Sequence, residues 1–533
     1  PPGTVTRTNT RTIGGSTLIT TCTLSNMHGQ TATYRSGQWG GDALDDLYNI
    51  GGANAANTMV TGLYNYRDGN NSNGGELIQF DFDCNVTLDG MPVPVKGMVV
   101  GDAEASNSGT TGRTNYVEEW IRVKPATPAT WRVVDRLRTG CTRYTIGDLW
   151  ADNTLRLRNS GQECANPTTG VGGNGPVAVA FMEGATAGKA TIVGRGKSAM
   201  ALGIVLDNDF GDAPESYGAA GALIDRGWTG GEIPKGQYPY PHSQTTGLWK
   251  CTQTSGIFCS WNGYRETDAN GAETMYSYQQ SYTAAQTPPA STNLFDNFAM
   301  AVPGNPDLML GARIDAEPVQ PFSPDARGDD TNATSDDEEA ITAVPDAIAF
   351  PGAAYSVTVA CTGTGYVSGW LDWNRNGAFD SGEMSSVVSC AGGQASLSWT
   401  TPADVVKGAS FLRLRIAPNA SNLTPTGMVY GGEVEDHPVV IRPALTIDKS
   451  SSATTSSRVG DVVTYTVKLK NISSSNFTAA LPASFTDDLG NVLDDANWNN
   501  DAAVAFDMGS TGTPPTLTGT MLNWSGPLKA GET

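Results

Sequence analysis

Residues 372–383 place an acid or an amide wherever a calcium loop of about twelve residues needs an oxygen. Asp372, Asn374 and Asn376 occupy the first, third and fifth positions, Gly377 the sixth, Asp380 the ninth and Glu383 the last. Ala378, at the seventh, would contribute its backbone carbonyl. A hard cation takes roughly six to eight oxygens, glycine permits the sharp turn, and a two-oxygen Glu closes the shell. The flanks are short and β-prone, Tyr-Val-Ser-Gly-Trp-Leu before and Met-Ser-Ser-Val-Val-Ser-Cys after, so the loop is expected to join strands rather than helices. Calcium is the expected cofactor, stiffening an extracellular β-domain where the ion stands near 10⁻³ M, that is about the affinity of weak fixed sites. The plainer alternative is an Asn-Gly turn that binds nothing.

Other acids cluster upstream. Asp207, Asp209 and Asp212 lie close in sequence, and Asp315, Glu317, Asp329, Asp330, Asp336 and Asp337 form a second group. If the two groups converge they could hold calcium and rigidify a joint; a solvated acidic linker is the alternative. Arg327, Gly328 and Asp329 also spell an integrin-type tripeptide, for which chance is the simpler account.

Catalysis finds little support. The histidines are His28, His242 and His437, without metalloprotease spacing, and no Gly-x-Ser-x-Gly elbow occurs. Gly194, Gly196, Lys197 and Ser198 suggest a phosphate loop, but Thr191 stands where its first glycine belongs. Paired carboxylates could hydrolyse glycosides. With 54 acids, some such pair is expected anyway, so no enzyme is expected.

Aromatic residues are the other candidate binding chemistry. Residues 228–300 hold 12 aromatics, and Trp228, Tyr238, Tyr240, Trp249, Trp261 and Tyr264 sit among Gly and Pro without helical or strand period. Displayed on a pinned loop they would bind a glycan or a protein; folded inward they would form a satellite core.

The elements that must position these groups are strands. Gly (63) and Pro (30) are abundant, charged residues make up only 16%, and alternating runs such as residues 76–82, 116–123 and 176–181 read as half-buried strands. Many such strands with Gly and Asn turns argue for sandwiches. The net charge of −21 repels nucleic acid and anionic membranes, so neither is an expected partner.

Eight cysteines, none in C-x-x-C spacing, read as disulfides of an exported protein. Pairing sequence neighbours joins Cys22 to Cys84, Cys141 to Cys164, Cys251 to Cys259 and Cys361 to Cys390, one of about a hundred possible sets. The sequence shows no membrane-spanning run and no signal peptide, and is expected to be a mature or truncated piece.

Several motifs then carry a family resemblance. Residues 93–98 (Val-Pro-Val-Lys-Gly-Met) followed by Asp102 and Glu104, residues 209–217 (Asp-Phe-Gly-Asp-Ala-Pro-Glu-Ser-Tyr), residues 310–317 and the Gly-Asp-Asp of 328–330 resemble the non-repetitive binding domain of CshA-type bacterial surface adhesins. Residues 432–436 spell Gly-Glu-Val-Glu-Asp, and with Trp370-Leu-Asp-Trp-Asn before the loop the segment resembles a GEVED domain. Residues 485–495 are similar to the immunoglobulin-like conserved repeat of bacterial surface proteins.

The resemblance implies an all-β chain: a lectin-like sandwich at 1–206, an acidic joint at 207–340 with an aromatic insertion at 219–309, a GEVED domain at 341–442, and an immunoglobulin-like repeat at 443–533 expected to lack its last strand. It implies a cell-surface adhesin that binds an extracellular protein, fibronectin in some relatives, or a glycan, on a calcium-stiffened stalk. Some relatives of the last domain form Lys–Asn isopeptide bonds, which draws notice to Lys449 near Asp487 or Asp488. The missing strand is explained by truncation or by strand donation from a neighbour, the latter making the protein a head-to-tail fibre subunit.

Overall fold

In the computed structural model the described residues are 4–28, 31–34, 62–65, 75–102, 120–138, 142–161, 176–194, 199–236, 249–250, 263–267, 273–277, 290–314, 316–317, 319–328, 340–473, 476–480 and 482–533. Their regular structure is almost entirely β-strand, in two compact units. Among them, no helix is long and apolar enough to cross a membrane.

The first unit comprises residues 1–208 and 223–306. Its strand Gly75–Leu88 shows why alternation makes a sandwich. Ile78, Phe80, Phe82, Cys84, Val86 and Leu88 are all buried on one face, at the period of two that a pleated strand imposes. The strand sits inside a 12-stranded sheet, followed in order by Ala187–Gly194, Trp120–Pro125, Leu155–Asn159, Thr145–Leu149 and Ala290–Asn293. A six-stranded sheet containing Gly97–Asp102, Val177–Glu183 and Thr130–Leu137 supplies Met98, Val100, Trp131, Val133, Ala180 and Met182 to the same core.

Val177–Glu183 departs from the half-buried expectation. Six successive residues, Val177 through Met182, are buried, so both faces of this strand are covered. On the far face of the larger sheet runs a polar row set by register: Gln79 opposite Thr191, Thr191 opposite Arg122, Arg122 opposite Arg156, Arg156 opposite Asp148, and Asp148 opposite Ser291. Asp148, fully buried, accepts from Arg156, Arg158 and Ser291. Burial pushes its carboxyl up, but the Arg156 and Arg158 guanidiniums and Ser291 outweigh this and hold it below the usual carboxylate range.

The second unit comprises residues 209–222 and 307–533. A five-stranded sheet runs Ala347–Ala349, Glu433–Pro443, Gly408–Ala417, Tyr366–Leu371, Val388–Ser389, and a three-stranded sheet runs Met309–Leu310, Ala354–Thr362, Gln394–Thr400. Val357, Val359, Leu397 and Trp399 from one meet Val367, Leu371, Leu412, Leu414 and Ile416 from the other in one core. Farther along, Leu445–Ser451 pairs with Tyr465–Asn471, and Ala483–Asp488, Met521–Gly526 and Thr516–Thr518 form a second small sheet, with Phe477, Ala483, Trp524 and Leu528 buried together.

Disulfides join Cys22 to Cys84 and Cys361 to Cys390. The first links residues that are also direct cross-strand neighbours. Cys141, Cys164, Cys251 and Cys259 lie outside the described residues.

Candidate metal centre

Strand Tyr366–Leu371 delivers Asp372 into the loop, and its pairing with Gly408–Ala417 continues one step, since the Asp372 amide donates to the Phe411 carbonyl at 3.2 Å. Ser410 Oγ donates to the Asp372 carbonyl at 2.5 Å. The loop closes in a single 3₁₀ turn, Ser381–Glu383, anchored by the Trp399 indole N–H, which donates to the Glu383 carbonyl at 2.8 Å. The loop thus joins strand to strand through a short turn. Arg375 and Gly377 both take left-handed backbone conformations, φ 57° and 82°. Glycine adopts this without strain; Arg375 is held there by donating to the carbonyls of Ala409 and Lys407.

Both terminal carboxylates of the loop are buried, Asp372 completely and Glu383 to 3% exposure. Asp372 Oδ1 accepts the Asn376 amide at 3.1 Å, and Oδ2 accepts the Gly377 amide at 3.0 Å and the Tyr217 hydroxyl at 2.7 Å. Glu383 Oε1 accepts the amides of Trp373 and Asn374, and Oε2 that of Asp380. Asn374 Oδ1 accepts the Asn376 amide, Asn376 Oδ1 the Ala378 amide, and Asn376 Nδ2 donates to Asp380 Oδ2. The sequence-derived ligands are therefore neighbours in one turn.

Electrostatics favour a cation here. Burial pushes the Glu383 carboxyl up to about 7, the Asp372 charge adds to that, and the three amides only partly oppose it. Burial, and the hydrogen bond to Asp372, raise the Tyr217 phenol and keep it a proton donor. Two buried carboxylates in one turn, accompanied by amide and carbonyl oxygens and no nitrogen or sulfur ligand, make an all-oxygen donor set, the chemistry that suits calcium. A bound cation would supply charge neutralisation and cross-link the turn. Among the described residues, no group of three or more His, Cys, Asp or Glu is arranged to hold a metal, so such a site depends on Asn374, Asn376 and the Ala378 carbonyl as well.

Of the acidic joint, Asp207, Asp209, Asp212 and Glu317 fall within the described residues. Asp209, Asp212 and Glu317 are all buried. Asp209 Oδ2 accepts the Val434 amide at 2.8 Å, Glu317 Oε2 the Phe210 amide at 2.9 Å, and Asp212 Oδ2 the Gly328 amide and the Ser323 hydroxyl. Each carboxylate caps backbone amides of a neighbouring segment. Asp315, Asp329, Asp330, Asp336 and Asp337 lie outside the described residues.

Of the aromatic candidates, Trp228 is half-buried and its ring lies 5.6 Å from that of Phe181, which it helps to cover. Trp249 and Tyr264 fall in the short strands Trp249–Lys250 and Gly263–Thr267, of which the backbone alone is described. Tyr238, Tyr240 and Trp261 lie outside the described residues.

Sequence reasoning missed the buried charges around the Gly-Glu-Val-Glu-Asp string. Glu433, Glu435 and Asp436 are each 1% exposed, and Arg413 and Arg415 on the adjacent strand are fully buried. Glu433 accepts the Leu310 amide, Glu435 the Ala340 amide and His437 Nε2, and Asp436 the Ala213 amide. Arg413 donates to the carbonyls of Gly218 and Pro425, and Arg415 to those of Gly221, Thr424 and Gly427. The available signal was arginine alternating with Leu412, Leu414 and Ile416 in a strand otherwise apolar. Burial and the Arg413 charge push Arg415 down, while Asp209 and Asp436 oppose this.

Three family models match the chain in order. Residues 2–205 match the surface adhesin CshA non-repetitive domain 2, residues 366–440 the GEVED domain, and residues 444–533 a domain of unknown function, DUF7927. The chain is thus similar to a CshA-type adhesin domain over residues 2–205 and to a GEVED domain over 366–440. The CshA-type match supports a place at the cell surface. No curated protein matches the chain. Among solved structures, a Salmonella alpha-2-macroglobulin mutant is similar at 9% identity, with a TM-score of 0.15, over 99% of this chain and 38% of that one. The chain thus spans well under half the length of that protein. The GEVED match begins at the strand that feeds the loop and ends just past its name-giving string, so Asp372 through Glu383 and Glu433 through Asp436 belong to one domain.

Proposed function

We propose that this chain is a non-enzymatic bacterial surface adhesin whose CshA-type domain binds an extracellular protein, of the fibronectin kind, or a glycan, with the GEVED and following domains as a calcium-stiffened stalk. The observation that carries the reading is the order of matches, an adhesin domain followed by GEVED and a third domain, on a chain whose described regular structure is almost entirely β-strand. Asp372, Asn374, Asn376, Asp380, Glu383 and the Ala378 carbonyl would hold the calcium. Its role is mechanical. Cross-linking the turn between Tyr366–Leu371 and Val388–Ser389 resists separation of strands that otherwise share few residues. The test is binding of the purified chain to immobilised fibronectin and to a glycan array, in calcium and in chelator. Saturable binding by the chain and by residues 1–306 supports the reading; none to any extracellular protein or glycan overturns it.

One observation favours a second reading, a fibre subunit completed by a neighbour's strand. The two-stranded sheet of Leu445–Ser451 and Tyr465–Asn471 leaves Ile447 57%, Tyr465 43% and nearby Val462 73% exposed, apolar surface that a further strand would cover. Light scattering that detects concentration-dependent polymers would favour it; a monomer at all concentrations would remove it.

A further inference from the structure

The candidate loop is contacted by a segment far away in sequence. Residues 209–222 belong to the same compact unit as the loop, and Tyr217 lies 155 residues before Asp372. Its ring lies 4.6 Å from that of Phe379 inside the loop, tilted by 43°, and meets Phe411 on the strand beside it edge-on at 5.3 Å. Ser216 approaches the loop at Gly377, where a Cβ would come within 3.3 Å of its hydroxyl. At the centre of this contact the Tyr217 hydroxyl donates to Asp372 Oδ2, the carboxylate that opens the loop.

We propose that Tyr217 is a positioning residue for the calcium loop, so that calcium uptake at residues 372–383 and docking of Asp209–Ala222 strengthen each other. The inference rests on the calcium reading above. Three donors fix the Asp372 carboxylate, two being amides of the loop itself and the third coming from outside it. A charge-assisted hydrogen bond of this length orients the carboxylate before any ion arrives, and an oriented ligand loses less freedom on binding. Coupling between two sites is reciprocal: whatever factor the Tyr217 contact adds to ion affinity, the ion adds to the stability of that contact. The rest of the segment is held by the GEVED string, through the Ala213 amide on Asp436, and by the adjacent strand, through the Gly218 and Gly221 carbonyls on Arg413 and Arg415. The Tyr217 hydroxyl ties the segment to the loop carboxylate itself.

The test is calorimetric titration of the chelator-stripped full chain with calcium alone, for the wild type, Tyr217→Phe and Glu383→Gln, alongside hydrogen exchange of peptides covering 209–222. Tyr217→Phe keeps the ring contacts and removes only the hydroxyl. It is expected to bind calcium about tenfold more weakly at unchanged stoichiometry, the size of one hydrogen bond to a charged group. In the wild type, calcium is expected to slow exchange across 209–222, and in Glu383→Gln it is expected not to. Equal affinities for wild type and Tyr217→Phe, or exchange indifferent to calcium in the wild type, overturn the coupling and leave the calcium reading standing. No calcium uptake by the wild type overturns both. Should Tyr217→Phe fold poorly, the exchange measurement on the wild type decides alone.

Discussion

Arg413 and Asp436 meet as a two-point ion pair, Nε to Oδ1 at 2.8 Å and Nη2 to Oδ2 at 2.7 Å, with neither side chain exposed to solvent. Asp436 is the last residue of the string that names the GEVED domain, and here its carboxylate also takes the Ala213 amide. The acid is therefore a structural hub rather than a surface ligand.

Removing one partner of a buried pair strands the other. Asp436→Ala is expected to destabilise the second unit by about 3–5 kcal/mol, measured as a fall in its calorimetric transition, whereas Asp346→Ala, whose pair with Arg442 is exposed, is expected to change it by less than about 1 kcal/mol.

Asp148 makes the first unit sensitive to acid. Its carboxyl is held below the ordinary range, so the folded state binds the proton less readily than the unfolded chain. The stabilisation is present above the unfolded value of about 4 and is lost as the pH falls through the lower folded value. Urea titrations at descending pH are expected to show this loss in the wild type and a flatter profile in Asp148→Asn. A wild-type profile no steeper than the variant's would refute the assignment.

Cys361 and Cys390 close a span of 29 residues that contains the whole loop. Replacing both with Ser is expected to cost about 3–4 kcal/mol by the chain-entropy estimate. Denaturant midpoints of the variant and the wild type, each without reductant, measure it.

At the loop itself, the structural role of Glu383 and the calcium role proposed for it separate by experiment. Glu383→Ala leaves the Trp373, Asn374 and Asp380 amides without their acceptor, so the melting temperature is expected to fall even in chelator. It is also expected to lose the rise that calcium gives the wild type. An unchanged calcium-dependent rise in the variant would remove Glu383 from the ligand set.

Strand alternation and the loop spacing were legible because both are local. The buried face of Gly75–Leu88 follows from period two alone, and the neighbours Asp372, Asn374, Asn376, Asp380 and Glu383 are neighbours because one short turn contains them. Pairing in sequence order also anticipated Cys22–Cys84, although that bridge joins paired strands 62 residues apart. What local pattern did not reveal was where charge goes when it leaves the surface. Asp209, Asp212 and Glu317 each cap amides more than 100 residues away, and Tyr217 reaches Asp372 across 155. By itself the sequence determined the strands, the turn and which oxygen-bearing residues the turn brings together, since those depend on spacing of a few residues. Only the tertiary structure decided the partners of the buried acids, because desolvation makes each carboxylate take whichever donors the packed chain brings within about 3 Å.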